Sequence, residues 1–166
     1  MDNYICINGK KAELTAEQMK ALGIKFAGTE NSFERQSYDN IYYYIQPTGL
    51  VVDAPEYHNF FSDNCYGVAN YCTDKTIMEQ RALHETLNRL LWRYSMEHDG
   101  DKIDWNNFDQ QKWFIFVDIG SGRMHVDNIC LCVRPGSIYF HTRETAKKAI
   151  TEIIEPFMKA HPEFKW

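Results

Sequence analysis

Basic residues are in deficit. The chain of 166 residues carries 18 Lys and Arg against 23 Asp and Glu, a formal net charge of −5, so a general phosphate-binding surface built on excess cations is not supported. Long apolar runs are missing too. The longest, Trp113 to Val117, is strand-length and falls far short of the roughly 18 residues of a membrane-spanning helix, so no membrane partner is expected. The start, Met1-Asp2-Asn3, has neither the basic region nor the apolar core of a secretion signal. The five cysteines, Cys6, Cys65, Cys72, Cys130 and Cys132, are odd in number and follow no even framework. Together these features give the expectation of free thiols in a reducing cytoplasm.

What the chain has instead is aromatic side chains: 10 Tyr, 10 Phe and 4 Trp, against eight Leu. Its 44% hydrophobic and 25% charged residues match an ordinary globular chain, and its length is that of one domain, residues 1–166. The charge is unevenly spread. Residues 30–63 hold six acids and one Arg, and residues 97–109 hold five acids against Lys102 alone, leaving a slightly basic remainder.

The hydrophobic pattern predicts an α+β fold with mainly antiparallel strands. Tyr4 to Ile7 and Ala12 to Leu14 flank Asn8-Gly9, the signature of a two-residue hairpin turn. Thr15 and Gln18 form a capping pair for a helix that Gly23 ends, and residues 24–40 read as an internal linker. A β-β-β-α pattern then occurs twice. Ile41 to Ile45, Leu50 to Asp53 and Tyr66 to Tyr71 are three strands before a helix that Thr73 caps and that runs to Glu97. Trp113 to Val117, Arg123 to Val133 and Ser137 to Phe140 are three more, before a helix capped by Thr142 and bent at Pro156. The first long helix has a single apolar stripe, Leu83, Leu87, Leu90, Leu91 and Tyr94. Its other side carries Arg81, Glu85, Arg89 and Arg93 at four-residue steps, so that Arg81 and Arg89 can both pair with Glu85. The second has Ala146, Ala149, Ile150, Ile153, Ile154 and Phe157. Both helices are expected on one side of the sheet.

The chemical motifs fail one by one. Cys130-Leu131-Cys132 lacks the paired C-x₂-C spacing of structural zinc. His84-Glu85 is followed by Asn88, so the two-histidine helix of zinc proteases is absent. The loop from Asp99 to Asp104 resembles a calcium loop only until Ile103, which occupies a ligand position, and Asp104, which occupies the required glycine. Gly120-Ser121-Gly122 lacks the outer spacing of a nucleophile elbow, and no phosphate-cradling glycine loop occurs. No catalytic residue, cofactor or metal is assigned.

Two signals remain, and both point to binding. Acidic residues Glu97, Asp99, Asp101, Asp104 and Asp109 interleave with Trp105 and Phe108, a composition suited to gripping a basic protein surface. Of these, Asp99, Asp101, Asp104, Trp105 and Asp109 form the candidate partner-binding loop. A second candidate face combines Arg81, Arg89 and Trp92 with Tyr42 and Tyr44, because consecutive Tyr42, Tyr43 and Tyr44 force at least one ring outward and exposed aromatics beside Arg suit interface hot spots or base stacking.

At Ile7-Asn8-Gly9-Lys10, Glu13-Leu14-Thr15, Glu17-Gln18, Phe33-Glu34-Arg35, Tyr42-Tyr43-Tyr44-Ile45 and Tyr66 through Lys75, the chain resembles small uncharacterised accessory proteins of phages and integrated mobile elements of Gram-positive bacteria. The resemblance implies a bacterial host cytoplasm and a non-enzymatic inhibitor or modulator that binds host machinery, including anti-phage defences such as CRISPR nucleases. The partner expected is a host protein that is basic or handles nucleic acid. Direct nucleic-acid binding through the Arg face and tyrosines is the alternative. A metal-dependent hydrolase or nuclease using His98, Asp99 and Asp101 is a third reading.

Overall fold

A computed structural model describes residues 4–7, 10–13, 31–98 and 100–166. The chain divides into two compact units, Met1–Glu34 and Arg35–Trp166, taken here in turn.

In the first unit, β1 (Tyr4–Ile7) and β2 (Lys10–Glu13) pair antiparallel, with Tyr4 opposite Glu13 and Ile7 opposite Lys10. That register leaves two residues for the connection, as the hairpin reading requires. Asn8-Gly9, and the helix expected from Thr15 to Gly23, lie outside the described residues.

The second unit opens on a hairpin of β3 (Ile41–Ile45) and β4 (Val51–Pro55), closed through Gly49 at φ +89°. The stretch Tyr66 to Tyr71, expected as a third strand, is not one. Helix α1 (Phe60–Gly67) occupies its beginning, and a single bridge between Tyr43 and Cys72 is all the pairing that follows. The reason is local. Asn59 accepts from the Phe61 and Ser62 amides while Ser62 reaches back to the Asn59 amide, and this reciprocal cap starts a helix that the β-prone tyrosines alone do not announce. The first expected β-β-β-α unit is therefore β-β-α-α. Helix α2 (Lys75–Glu97) follows, capped by Asp74, whose carboxylate accepts from Thr76 and Ile77, one residue beyond the expected Thr73.

The second unit's larger sheet has the order β6-β5-β7, all antiparallel, from β5 (Lys112–Asp118), β6 (Arg123–Ile129) and β7 (Tyr139–Phe140). Both outer strands are shorter than expected: β6 stops four residues before Val133, and β7 omits Ser137 and Ile138. Helix α3 (Arg143–Ala149) is capped by Thr142 as expected, its hydroxyl accepting from the Thr145 amide at 3.1 Å. The bend expected at Pro156 appears as a widened π turn, Ile150–Ile154, that leads into α4 (Glu155–Ala160). Ala149 and Ile154 are both buried. A spacing of five would place them about 140° apart on a regular α-helix, and the widened turn absorbs the extra residue so that both face the core.

The core follows from these elements. Leu87, Leu91 and Tyr94 of α2 pack with Phe140, Ala146, Ala149, Ile154 and Phe157, and the sheet contributes Trp113, Ile115, Met124 and Val126 from one face. The hairpin is covered on both sides. Ile45 and Tyr43 meet Met78 and Ala82 of α2, while Tyr42 and Tyr44 meet Cys65 of α1 and Tyr71. The unit is α+β with antiparallel sheets. No helix among the described residues is long and apolar enough to cross a membrane.

Candidate functional site

From Gly100 to Gln110 the acidic segment after α2 is held by hydrogen bonds of its own. At the end of α2 the His98 ring stacks on Tyr94 with centroids 4.0 Å apart, and its Nδ1 lies 2.8 Å from the Tyr94 carbonyl oxygen. Gly100 then presses on the helix so closely that a Cβ there would meet Ser95 backbone atoms at 2.7 Å, so only glycine fits. Ser95 itself is buried and donates to the Tyr139 carbonyl at 2.5 Å. Beyond the short 3-10 turn Gly100–Lys102, the Gln110 side chain closes a ring of hydrogen bonds, accepting from the Asp104 amide at 2.6 Å and donating to the Lys102 carbonyl at 3.0 Å. Asp104 accepts from the Asn106 amide and Asn107 from the amides of Asp109 and Gln110, the local turns that Asp and Asn side chains favour.

The keystone is Lys112. It is 2% exposed, and a lysine is rarely buried unless its ammonium is satisfied. Nζ donates to the carbonyls of Asn107 at 2.9 Å and Gln110 at 3.0 Å and sits 5.9 Å from the Trp105 ring centroid. The cation thus fastens the loop from beneath.

What the loop displays is acid and aromatic surface. Asp101, Asp104 and Asp109 are exposed. Trp105 is 49% exposed with its inner edge against the Tyr139 ring, centroids 5.3 Å apart, and Phe108 is 66% exposed. Asp99, the remaining candidate of this group, lies outside the described residues. Trp105 also lines a cleft of about 310 Å³ together with Trp92 and Met96 of α2, Ile103, Val133 and Arg134. Trp92 is 59% exposed. The two candidate faces read separately from the sequence therefore meet at one cleft through their tryptophans.

The rest of the second face does not assemble. Tyr42, expected to point outward, is fully buried, and Tyr44 is half-buried with its ring edge-on to Phe61 at 5.1 Å. Both lie under α1, the helix that replaced the expected strand, whereas α2 packs on the opposite face of the hairpin. The arginines are engaged. Arg81 pairs with Glu85 at 2.8 Å and donates to the Ala69 carbonyl, Arg89 donates to the Glu85 carbonyl at 3.3 Å, and Arg93 lies 3.9 Å from Glu97. Arg81 finds the Glu85 carboxylate as expected; Arg89 reaches the backbone of that residue instead.

A buried polar cluster went unseen in the sequence. Glu56 is fully buried, bonded by the Arg35 guanidinium at 3.2 and 3.3 Å and by the His58 amide at 2.6 Å. Burial alone would raise its carboxyl, but hydrogen bonds from Arg35, Ser62, the His58 amide and Tyr71 outweigh that and hold it down at about 2. Arg35 also reaches Asp63 of α1 at 2.5 Å, so the cluster ties the segment before β3 to the end of β4 and to α1. A carboxylate so fully satisfied, with so low a pKa, is not poised to take a proton at neutral pH. Cys65 and Cys72 are buried, Cys130 is half-buried and Cys132 is exposed, all four as free thiols. Among the described residues no three His, Cys, Asp or Glu side chains are grouped to hold a metal ion.

No protein-family model matches the chain, and no curated protein or solved structure matches it.

Proposed function

We propose that this protein acts by stoichiometric capture of another protein with a basic surface, inhibiting or modulating that partner without catalysis. The observation that carries the reading is the fastening of the acidic loop by buried Lys112. Holding an exposed tryptophan and three carboxylates in one arrangement before any encounter removes much of the ordering cost of binding. The carboxylates steer a basic partner and disfavour acidic ones, and Trp105 beside a cleft is the kind of anchor that dominates interface energetics. The arginines of α2 offer weaker footing for direct nucleic-acid binding, since the Glu85 and Glu97 carboxylates beside Arg81 and Arg93 repel phosphate. The resemblance to mobile-element accessory proteins directs the search toward host defence machinery, nucleic-acid-handling enzymes among them.

The test compares the full chain with a variant carrying Asp101→Lys and Asp109→Lys, together with Asp104→Asn, which keeps the turn-forming oxygen and removes the charge. Affinity capture from nuclease-treated host lysate is the readout, with a melting curve alongside. Capture of a basic protein is expected to be lost while the melting temperature moves by no more than about 3 °C. Unchanged capture refutes the acidic-loop reading.

A further inference from the structure

Strand β5 spans seven residues, yet β7 pairs with only two of them, Trp113 with Phe140 and Phe114 with Tyr139. In the same register Ile138 and Ser137 would lie opposite Ile115 and Phe116. They do not pair, because the chain before β7 is locked in a turn. The Ser137 amide donates to the Arg134 carbonyl at 3.2 Å, Pro135 and Gly136 occupy the corner with Gly136 at φ +81°, and the Arg134 amide donates to the Tyr139 hydroxyl at 2.7 Å. Pro followed by a left-handed Gly is the type II arrangement, so the divergence is built in rather than frayed.

Between the diverging segments lies a cleft of about 270 Å³. One wall is the β5 edge over Ile115, Phe116 and Val117, and the floor includes Leu87, Leu91 and Ile154. β6 pairs with β5 along all seven residues on the other side. On the cleft side no strand among the described residues continues the sheet beyond Phe114. A strand directs its amide and carbonyl groups alternately to its two neighbours, so part of the backbone of Ile115–Asp118 faces the cleft without a strand to receive it. No lining side chain is an acid, Lys or Arg; His84 is the one titratable group among them.

We propose that this cleft receives an extended, uncharged segment of a partner protein as an added strand, antiparallel to β5 and in line with β7. Strand addition supplies what the edge lacks, main-chain hydrogen bonds, while pockets for alternate side chains select the sequence. Directly opposed residues in an antiparallel pair share a face. Positions opposite Ile115 and Val117 therefore lie on the side that packs on α2 and take apolar side chains. The position opposite Phe116 shares the outer face with the Phe116–His125 ring pair, 5.5 Å apart, and tolerates a polar one. A charged segment would leave water for a cleft lined by no Asp, Glu, Lys or Arg. This cleft adjoins the one beside Trp105, sharing Gly136, Ser137 and Ile138 with it, but none of the loop's acidic residues lines it.

The probe is the hexapeptide Thr-Val-Thr-Val-Thr-Val, acetylated and amidated, titrated into the full chain at millimolar concentration with amide hydrogen exchange as the readout. The cleft-facing amides of Ile115–Asp118 should exchange rapidly in the free protein and at least about tenfold more slowly with peptide. Two N-methylated isomers, one blocked at all Thr amides and one at all Val amides, separate backbone pairing from apolar contact. One isomer should bind at least about tenfold more weakly than the other, because only one set of amides faces β5. Asn88→Trp, which fills the cleft from α2 at a residue that does not line the Trp105 cleft, should abolish protection. Edge amides already slow in the free protein, absence of peptide protection, or equal binding of the two isomers would each overturn the proposal.

Discussion

Replacing Lys112 with methionine keeps the aliphatic stem and the buried volume while deleting the ammonium. The two bonds it donates to the carbonyls of Asn107 and Gln110 are charge-assisted, each contributing about 1.5–3 kcal/mol. Burying the ammonium costs several kcal/mol in the opposite direction. The difference left to hold the loop closed is about 2 kcal/mol, equivalent to about thirtyfold in the open population. Hydrogen exchange at the amides of Asp104, Asn106, Asp109 and Gln110, all bonded within the loop, should accelerate by about that factor. Amides that bond across the β5–β6 ladder serve as the internal reference and should change far less. Loop exchange within about threefold of the parent would show that Lys112 is not the fastener. A uniform acceleration of loop and ladder together would show that it supports the whole unit instead.

Three further outcomes follow from the geometry. The Glu56 carboxyl falls from its ordinary 4.5 to about 2 on folding, so it stabilises the fold fully above about pH 4.5 and progressively less as the pH drops toward 2. Glu56→Gln should lower stability at pH 7 by about 3 kcal/mol and flatten the loss between pH 4.5 and 2; denaturant melts across that range that stay parallel to the parent would refute the assignment. Tyr42→Phe removes a buried hydroxyl that faces the Cys65 thiol without a hydrogen bond of good geometry and whose ionisation burial, above all, disfavours. The change should be neutral or stabilising by up to about 1 kcal/mol, and a loss of more than about 1 kcal/mol by thermal melting would contradict the structure. Because the Glu85 and Glu97 carboxylates lie against Arg81 and Arg93 of α2, single-stranded DNA or RNA should not retain the protein even at low salt; retention that weakens steeply with added salt would restore the nucleic-acid reading.

Local pattern carried far where a segment's environment is uniform. The hydrophobic stripe of α2, the short apolar runs of β3 and β5, and the Thr142 cap were legible because each depends on residues close in the chain. It misled at Tyr66 to Tyr71, where strand-favouring tyrosines are preceded by the Asn59–Ser62 cap that starts α1. That error propagated: with α1 unseen, the second face of the hairpin looked solvent-exposed, and Tyr42 was placed on a surface it does not reach. The acids and Trp105 were readable from composition. Lys112 was not, because a single lysine at the head of a strand gives no sign that it turns inward. Nor was the meeting of Trp92 with Trp105, since it depends on where Gly100 redirects the chain after Ser95.

Every hydrogen bond described here within the acidic loop closes over eight residues or fewer. Its shape is therefore written almost wholly into the stretch from Gly100 to Lys112, with the Tyr139 ring and the end of α2 as its main outside supports. Such a segment is separable from its scaffold in the way a grafted antibody loop is. Exposed positions such as Asp101, Phe108 and Asp109 are free to vary while Trp105, Asn107, Gln110 and Lys112 stay fixed. A lineage pressed by a changing target could redraw the displayed surface there without renegotiating the fold beneath it.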